Sequence, residues 1–250
     1  MNNYIDVIFD TIRMLVFSTI PFFIFGLIMH YATIFVRNHF SSDNSWKFIS
    51  YFTFVGSMVH ELSHAIMCAI FKHDIQKVAF FSPEEDEPFG YVLHRYDPNS
   101  FYQRCGCFFI GTAPLLCGVA SIYYLSLYLL PYEIIAKLSS SYNPFLIFSF
   151  LFSAEFYSNI KNIIWLYLSF SIFLHITLSF DDLKGWATGL LTFVILACVY
   201  NCYKFITNDI SFNISQEAHT SLVLIINQFV MVFIISTIIL ILYNLKKKSK

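Results

Sequence analysis

Charge is what this 250-residue chain has least of: Asp, Glu, Lys and Arg make up 12% of it, against about 25% in ordinary soluble domains. Hydrophobic residues account for 57% and aromatics for 20%. A chain of that composition is excluded from the ordinary water-soluble class and reads as an integral membrane protein. The formal net charge of −1 leaves no basic surface for nucleic acid. A glycine-rich phosphate loop and basic-aromatic interleaving are also missing, so no nucleic-acid partner is expected. The six cysteines, Cys68, Cys105, Cys107, Cys117, Cys198 and Cys202, lie mostly within apolar runs and form no C-x-x-C pair. That excludes a secreted disulfide framework and makes small buried hydrophobes of them by expectation. The opening "MNNYIDVIFDTIRM" lacks the basic start and small-residue cleavage site of a secretory signal, so the first apolar helix is expected to be retained.

A membrane-spanning helix needs about 20 mostly apolar residues. Six windows qualify: 14–36, 48–71, 105–130, 162–180, 186–206 and 221–245. Residues 145–154 are too short to span and fit either a re-entrant piece or an extension of the fourth helix. In the third window Gly106, Gly111, Pro114 and Gly118 predict a kink. Between the second and third windows, β-rich runs at 78–81 and 90–94 flank the acidic turn Glu84, Glu85, Asp86, Glu87, a pattern that predicts a β-hairpin with a solvated turn. The expected fold is therefore an all-α polytopic membrane protein, one membrane-embedded domain of about six transmembrane helices with a small hairpin. The tail "KKKSK" and the basic residues of 72–104 place both on the cytoplasmic side of a cell membrane, which puts both termini in the cytoplasm and the loop at 138–143 opposite.

Within the second window stands "HELSH". His60, Glu61 and His64 spell H-E-x-x-H. On a helix positions i and i+4 share a face, so both imidazoles can grip one metal while the glutamate stands beside it to act on a bound water. At this chain's own residue frequencies the pattern would arise by accident about 0.007 times. Ionisable groups inside a span cost about 2.5–3.5 kcal/mol each on insertion scales, which argues against idle polar residues. A catalytic zinc takes three protein ligands and keeps a fourth position for water, so one more ligand is required. Asp181 and Asp182, at the end of the fourth window, lie at the depth of the two histidines under the six-span topology. Asp182 is favoured: it follows His175 by seven residues, two helical turns, and leaves Asp181 to cap the next helix. His175 is a candidate for contact with metal or substrate; Glu155, His30 and His94 are further alternatives.

An HExxH helix in the membrane, a hairpin, a Gly/Pro-containing helix and a later span ending in aspartate resemble the site-2 protease class of intramembrane zinc metalloproteases. The resemblance covers about 48–189, with the helices at 14–36 and 221–245 peripheral to that core. Where the class often carries A-G-P-x-x-N, this chain has "GTAPLLCG", keeping Pro114 but placing Cys117 at the asparagine position; "FDDLKG" stands in place of the usual L-D-G. The resemblance implies one zinc per chain, held by His60, His64 and Asp182 or Asp181, with Glu61 as the general base. It implies hydrolysis of peptide bonds in or beside transmembrane segments of membrane-protein substrates. The strand containing Gly90, Tyr91 and Val92 would hold an unwound substrate as a neighbouring strand. A metal-binding membrane protein without proteolysis, a sensor or transporter, is the alternative; a structural partner in a membrane complex is a third. Nothing in the sequence bears on oligomeric state.

Overall fold

Uninterrupted apolar stretches with few helix breakers form helices here, and punctuation by Thr, Ser and Asn sets their ends. A computed structural model describes residues 51–82, 90–140 and 145–176, with isolated residues 31, 182, 184, 185, 194, 195, 198, 199 and 203. Among them α1 spans Phe54–Ile70, β1 Asp74–Ala79, β2 Tyr91–Arg95, α2 Phe101–Leu129, α3 Tyr132–Ser140, α4 Phe145–Leu151, α5 Ala154–Ser158 and α6 Ile160–His175. Ser100, Ser153 and Asn159 cap α2, α5 and α6 by accepting backbone N–H groups of the first turn. The described residues are mostly helical with one two-stranded antiparallel sheet among them.

Helices α1, α2 and α6 pack against one another and form the centre of the molecule. Glycine makes two of these approaches possible. A Cβ on Gly56 would collide with the Ser171 carbonyl of α6, and one on Gly118 of α2 would collide with the Ile176 side chain. The Gly56 N–H donates to Ser171 Oγ at 2.9 Å, and that hydroxyl donates in turn to the Thr53 carbonyl at 3.0 Å. Polar side chains therefore stitch the helices inside. Trp165 Nε1 likewise donates to Ser126 Oγ, 2.8 Å away. A cluster including Leu115, Ile122, Leu138, Phe156, Trp165 and Phe173 fills the remaining interior.

The outside of α1 is the reverse of a soluble helix. Phe54, Met58, Leu62, Ile66 and Ile70 recur every four residues along one exposed stripe, whereas Ser57, Glu61, Ser63 and His64 are buried. Among the described residues α2, 29 residues long, is the one helix long and apolar enough to cross a membrane; α1 and α6 are apolar but have 17 and 16 residues.

Several expectations change. The first strand lies at Asp74–Ala79, about four residues before the expected 78–81, because the chain turns sharply at the end of α1 and pairs immediately. The second strand, Tyr91–Arg95, nearly coincides with the expected run. Residues 145–154 do not extend the fourth helix: α4 ends at Leu151, Ser153 caps the short α5, and α6 starts afresh after its own cap at Asn159. Helix α3 reaches Ser140 where a loop was expected, while α2 contains Pro114 within one continuous helix. Helix α6 stops at His175, with Ile176 as its C-cap, so His175 and Asp182 do not share one continuous helical face. The windows 14–36, 186–206 and 221–245, the acidic turn, His30 and Asp181 lie outside the described residues.

Candidate metal centre

His60, Glu61 and His64 occupy the middle of α1, whose inner face meets α2 and α6. The four-residue spacing stacks the two imidazoles, with ring centroids 4.9 Å apart. Each ring is fixed by a backbone carbonyl. His60 Nδ1 lies 2.6 Å from the His175 carbonyl oxygen and His64 Nδ1 lies 2.9 Å from that of Ile110. A carbonyl can only accept, so both Nδ1 atoms carry a proton, and in the neutral ring each Nε2 is the atom left to bind a metal.

Both acceptors are carbonyls that their own helices leave available. His175 is the last residue of α6, among the four whose carbonyls lack an intrahelical donor. Ile110 stands four residues before Pro114, which has no N–H to offer it. The proline thus opens an acceptor for His64.

The two Nε2 atoms face each other at 3.2 Å. Asp182 completes the group: Oδ1 is 3.2 Å from His64 Nε2 and Oδ2 is 4.0 Å from His60 Nε2. With both rings neutral, two Nε2 lone pairs and a carboxylate converge, an arrangement satisfied either by a proton on His64 Nε2 paired with Asp182 or by a metal ion between the three. Ligand atoms about 2.0–2.1 Å from a tetrahedral ion stand roughly 3.3 Å apart, so the observed spacing suits a metal. The three groups are shielded, with side-chain exposures of 15%, 9% and 11% for His60, His64 and Asp182. They form one of two sets among the described residues with the donors to hold a metal ion.

Glu61, adjacent to His60, is buried. The hairpin closes over it: a Cβ on Gly90 would stand 2.6 Å from Glu61 Cγ and 3.0 Å from Ser57 Oγ. Ser57 Oγ also donates to the Phe80 carbonyl at 3.3 Å, tying the end of β1 to the same turn of α1. Only a glycine admits the backbone this close to the carboxyl-bearing chain.

The other candidates separate. His175 contributes its carbonyl, but its ring turns away to Thr53 Oγ1, 2.9 Å distant. Tyr91 and Val92 lie on β2 opposite Ala79 and Val78. Pro114 is buried within α2. Glu155 is exposed on α5 and belongs to neither metal-binding set. His94 belongs to the second set, with Cys68 and His73, which sequence reasoning missed. Those two residues flank the end of α1, and only the turn there brings them together. No protein-family model, no curated protein and no solved structure matches this chain.

Proposed function

We propose that this chain is an intramembrane zinc metalloprotease, cleaving peptide bonds within or next to transmembrane segments of membrane-protein substrates. The observation that carries the reading is the convergence of His60 Nε2, His64 Nε2 and the Asp182 carboxylate beside Glu61. Zinc suits an N,N,O set that leaves a fourth position open, and when bound it supplies Lewis acidity and a water of pKa about 7. His60, His64 and Asp182 would hold it. Glu61 accepts the proton of the attacking water on its carboxylate and returns it to the departing amide nitrogen. Gly90 keeps the start of β2 against the Glu61 side chain, so a substrate strand added along the hairpin would pass close to the reacting group. Such pairing satisfies the substrate backbone where water is scarce.

The membrane setting rests on composition and on the inside-out helices. Polar groups face inward, and the exposed stripe of α1 has only apolar side chains, as expected where the solvent is lipid. In this reading α1 and α6 cross the bilayer alongside α2, as parts of a polytopic chain in the cell membrane.

Glu61→Gln tests the mechanism. The amide is nearly isosteric but cannot take the proton, so the variant should keep its zinc and lose at least about a hundredfold in cleavage of a co-expressed membrane substrate. Undiminished cleavage would refute it. A metal sensor or transporter without proteolysis is the second reading, favoured by the presence of another metal-competent cluster near the first. Zinc retained by the parent with no cleavage after reconstitution would select it.

A further inference from the structure

We propose a second metal site, formed by Cys68, His73 and His94, that clips the hairpin to the end of the HELSH helix. Their ligand atoms, one from each residue, lie within 4.8 Å of one another. Cys68 and His73 are 0% and 5% exposed, so neither is a surface group that meets the others by chance.

Backbone geometry assembles the set. After α1 the His73 N–H bonds to the Cys68 carbonyl at 2.9 Å and the Lys72 N–H to that of Ala69 at 3.2 Å, the paired bonds of a Schellman ending. That ending needs a left-handed residue, normally glycine; here Lys72 takes it, with φ of 57°. The turn returns His73 to the level of Cys68. Gly106 lets it settle on α2, since a Cβ there would stand 2.9 Å from His73 Nε2. His94 arrives on β2, opposite Ile75 and next to a bulge in β1 between Ile75 and Lys77, a device that re-aims neighbouring side chains.

The protonation pattern suits ligation. His73 Nε2 lies 2.8 Å from the Gln103 carbonyl and must donate to it, so His73 Nδ1 is a lone pair. It faces His94 Nδ1 at 3.0 Å. A thiol and two imidazoles are donors for a borderline-soft ion such as Zn²⁺. On binding, Cys68 gives its thiol proton to solvent and the thiolate sulfur bonds the ion; no electron is transferred. The site is distinct from the HELSH set in having a sulfur ligand and no carboxylate.

That sulfur provides the test. Purified full-length protein is loaded with Zn²⁺ for stoichiometry and, separately, with Co²⁺ for absorption. The parent should hold two zinc equivalents, and its cobalt form should show a near-ultraviolet thiolate-to-cobalt charge-transfer band. The band should persist in a His60→Ala/His64→Ala variant, which keeps one equivalent, and disappear in Cys68→Ser. His94→Ala should lose one equivalent. A parent with no thiolate band overturns the proposal without recourse to any variant, and leaves the two imidazoles as a simple hydrogen-bonded pair. A band undiminished in Cys68→Ser overturns it too, assigning the sulfur to another cysteine. A parent that holds only one equivalent, and loses it in His60→Ala/His64→Ala, would spare the protease reading and sink this one; a parent whose only equivalent survives in that variant together with the band would do the reverse.

Discussion

At the scale of single residues, the proposed centre rests on two carbonyls as much as on its three candidate ligands. Outer-shell partners of a ligating histidine typically change metal affinity by about 10–100-fold when lost. Pro114→Ala supplies an N–H four residues after Ile110 and lets the helix compete with His64 for that oxygen. Zinc affinity should fall by about tenfold while thermal stability is unchanged or raised, because a helical hydrogen bond is gained. Competition with a chromophoric chelator would measure the first and a melting curve the second; unaltered affinity would deny Pro114 this role. The HELSH spacing was legible because i and i+4 always share a helical face, and Asp182 was legible as one of two neighbouring acids. The carbonyls were not, since each ligand histidine and its acceptor are 115 and 46 residues apart. His175 was picked out for its ring, yet its backbone does the positioning.

Among elements, the hairpin is where reading and structure diverged. "DIQKVA" looks too polar for a strand, but β1 lies against the end of α1 with only Ile75 and Ala79 partly covered, so it needs few apolar residues. Its partner was found because "YVLHR" is β-rich. The contact that matters between these elements is the one at Gly90. In Gly90→Ala the methyl meets Glu61 Cγ and the Ala79 carbonyl, so the hairpin must lift or the carboxylate must turn. Cleavage should drop by at least tenfold with zinc content unaltered, because a small displacement of a reacting group costs heavily while the ligands stay in place. Parallel loss of zinc would mean instead that the hairpin supports the whole of α1. Helices α1 and α2 were largely legible from hydropathy. The short α4 and α5 were not, because apolar composition alone does not reveal the caps at Ser153 and Asn159 that divide them from α6.

For the molecule as a whole, the proposed bilayer makes a prediction about sidedness. Helix α2, 29 residues long, would put the hairpin and α3 on opposite faces of the membrane. With the native cysteines replaced, a cysteine at Tyr132 should react with an impermeant thiol reagent in intact cells, and one at Arg95 should react only after lysis. Equal labelling of both in intact cells would remove α2 as a span. The same arrangement has an electrostatic consequence. Aligned peptide dipoles leave roughly half a negative charge at the C-terminal end of a helix. Helix α6 ends at the carbonyl that holds His60, so its negative pole is aimed through one imidazole at the place where a cation would lie. Attraction for a positive ion is therefore built into the direction in which α6 runs, and reversing that helix would spoil the centre even with every ligand retained.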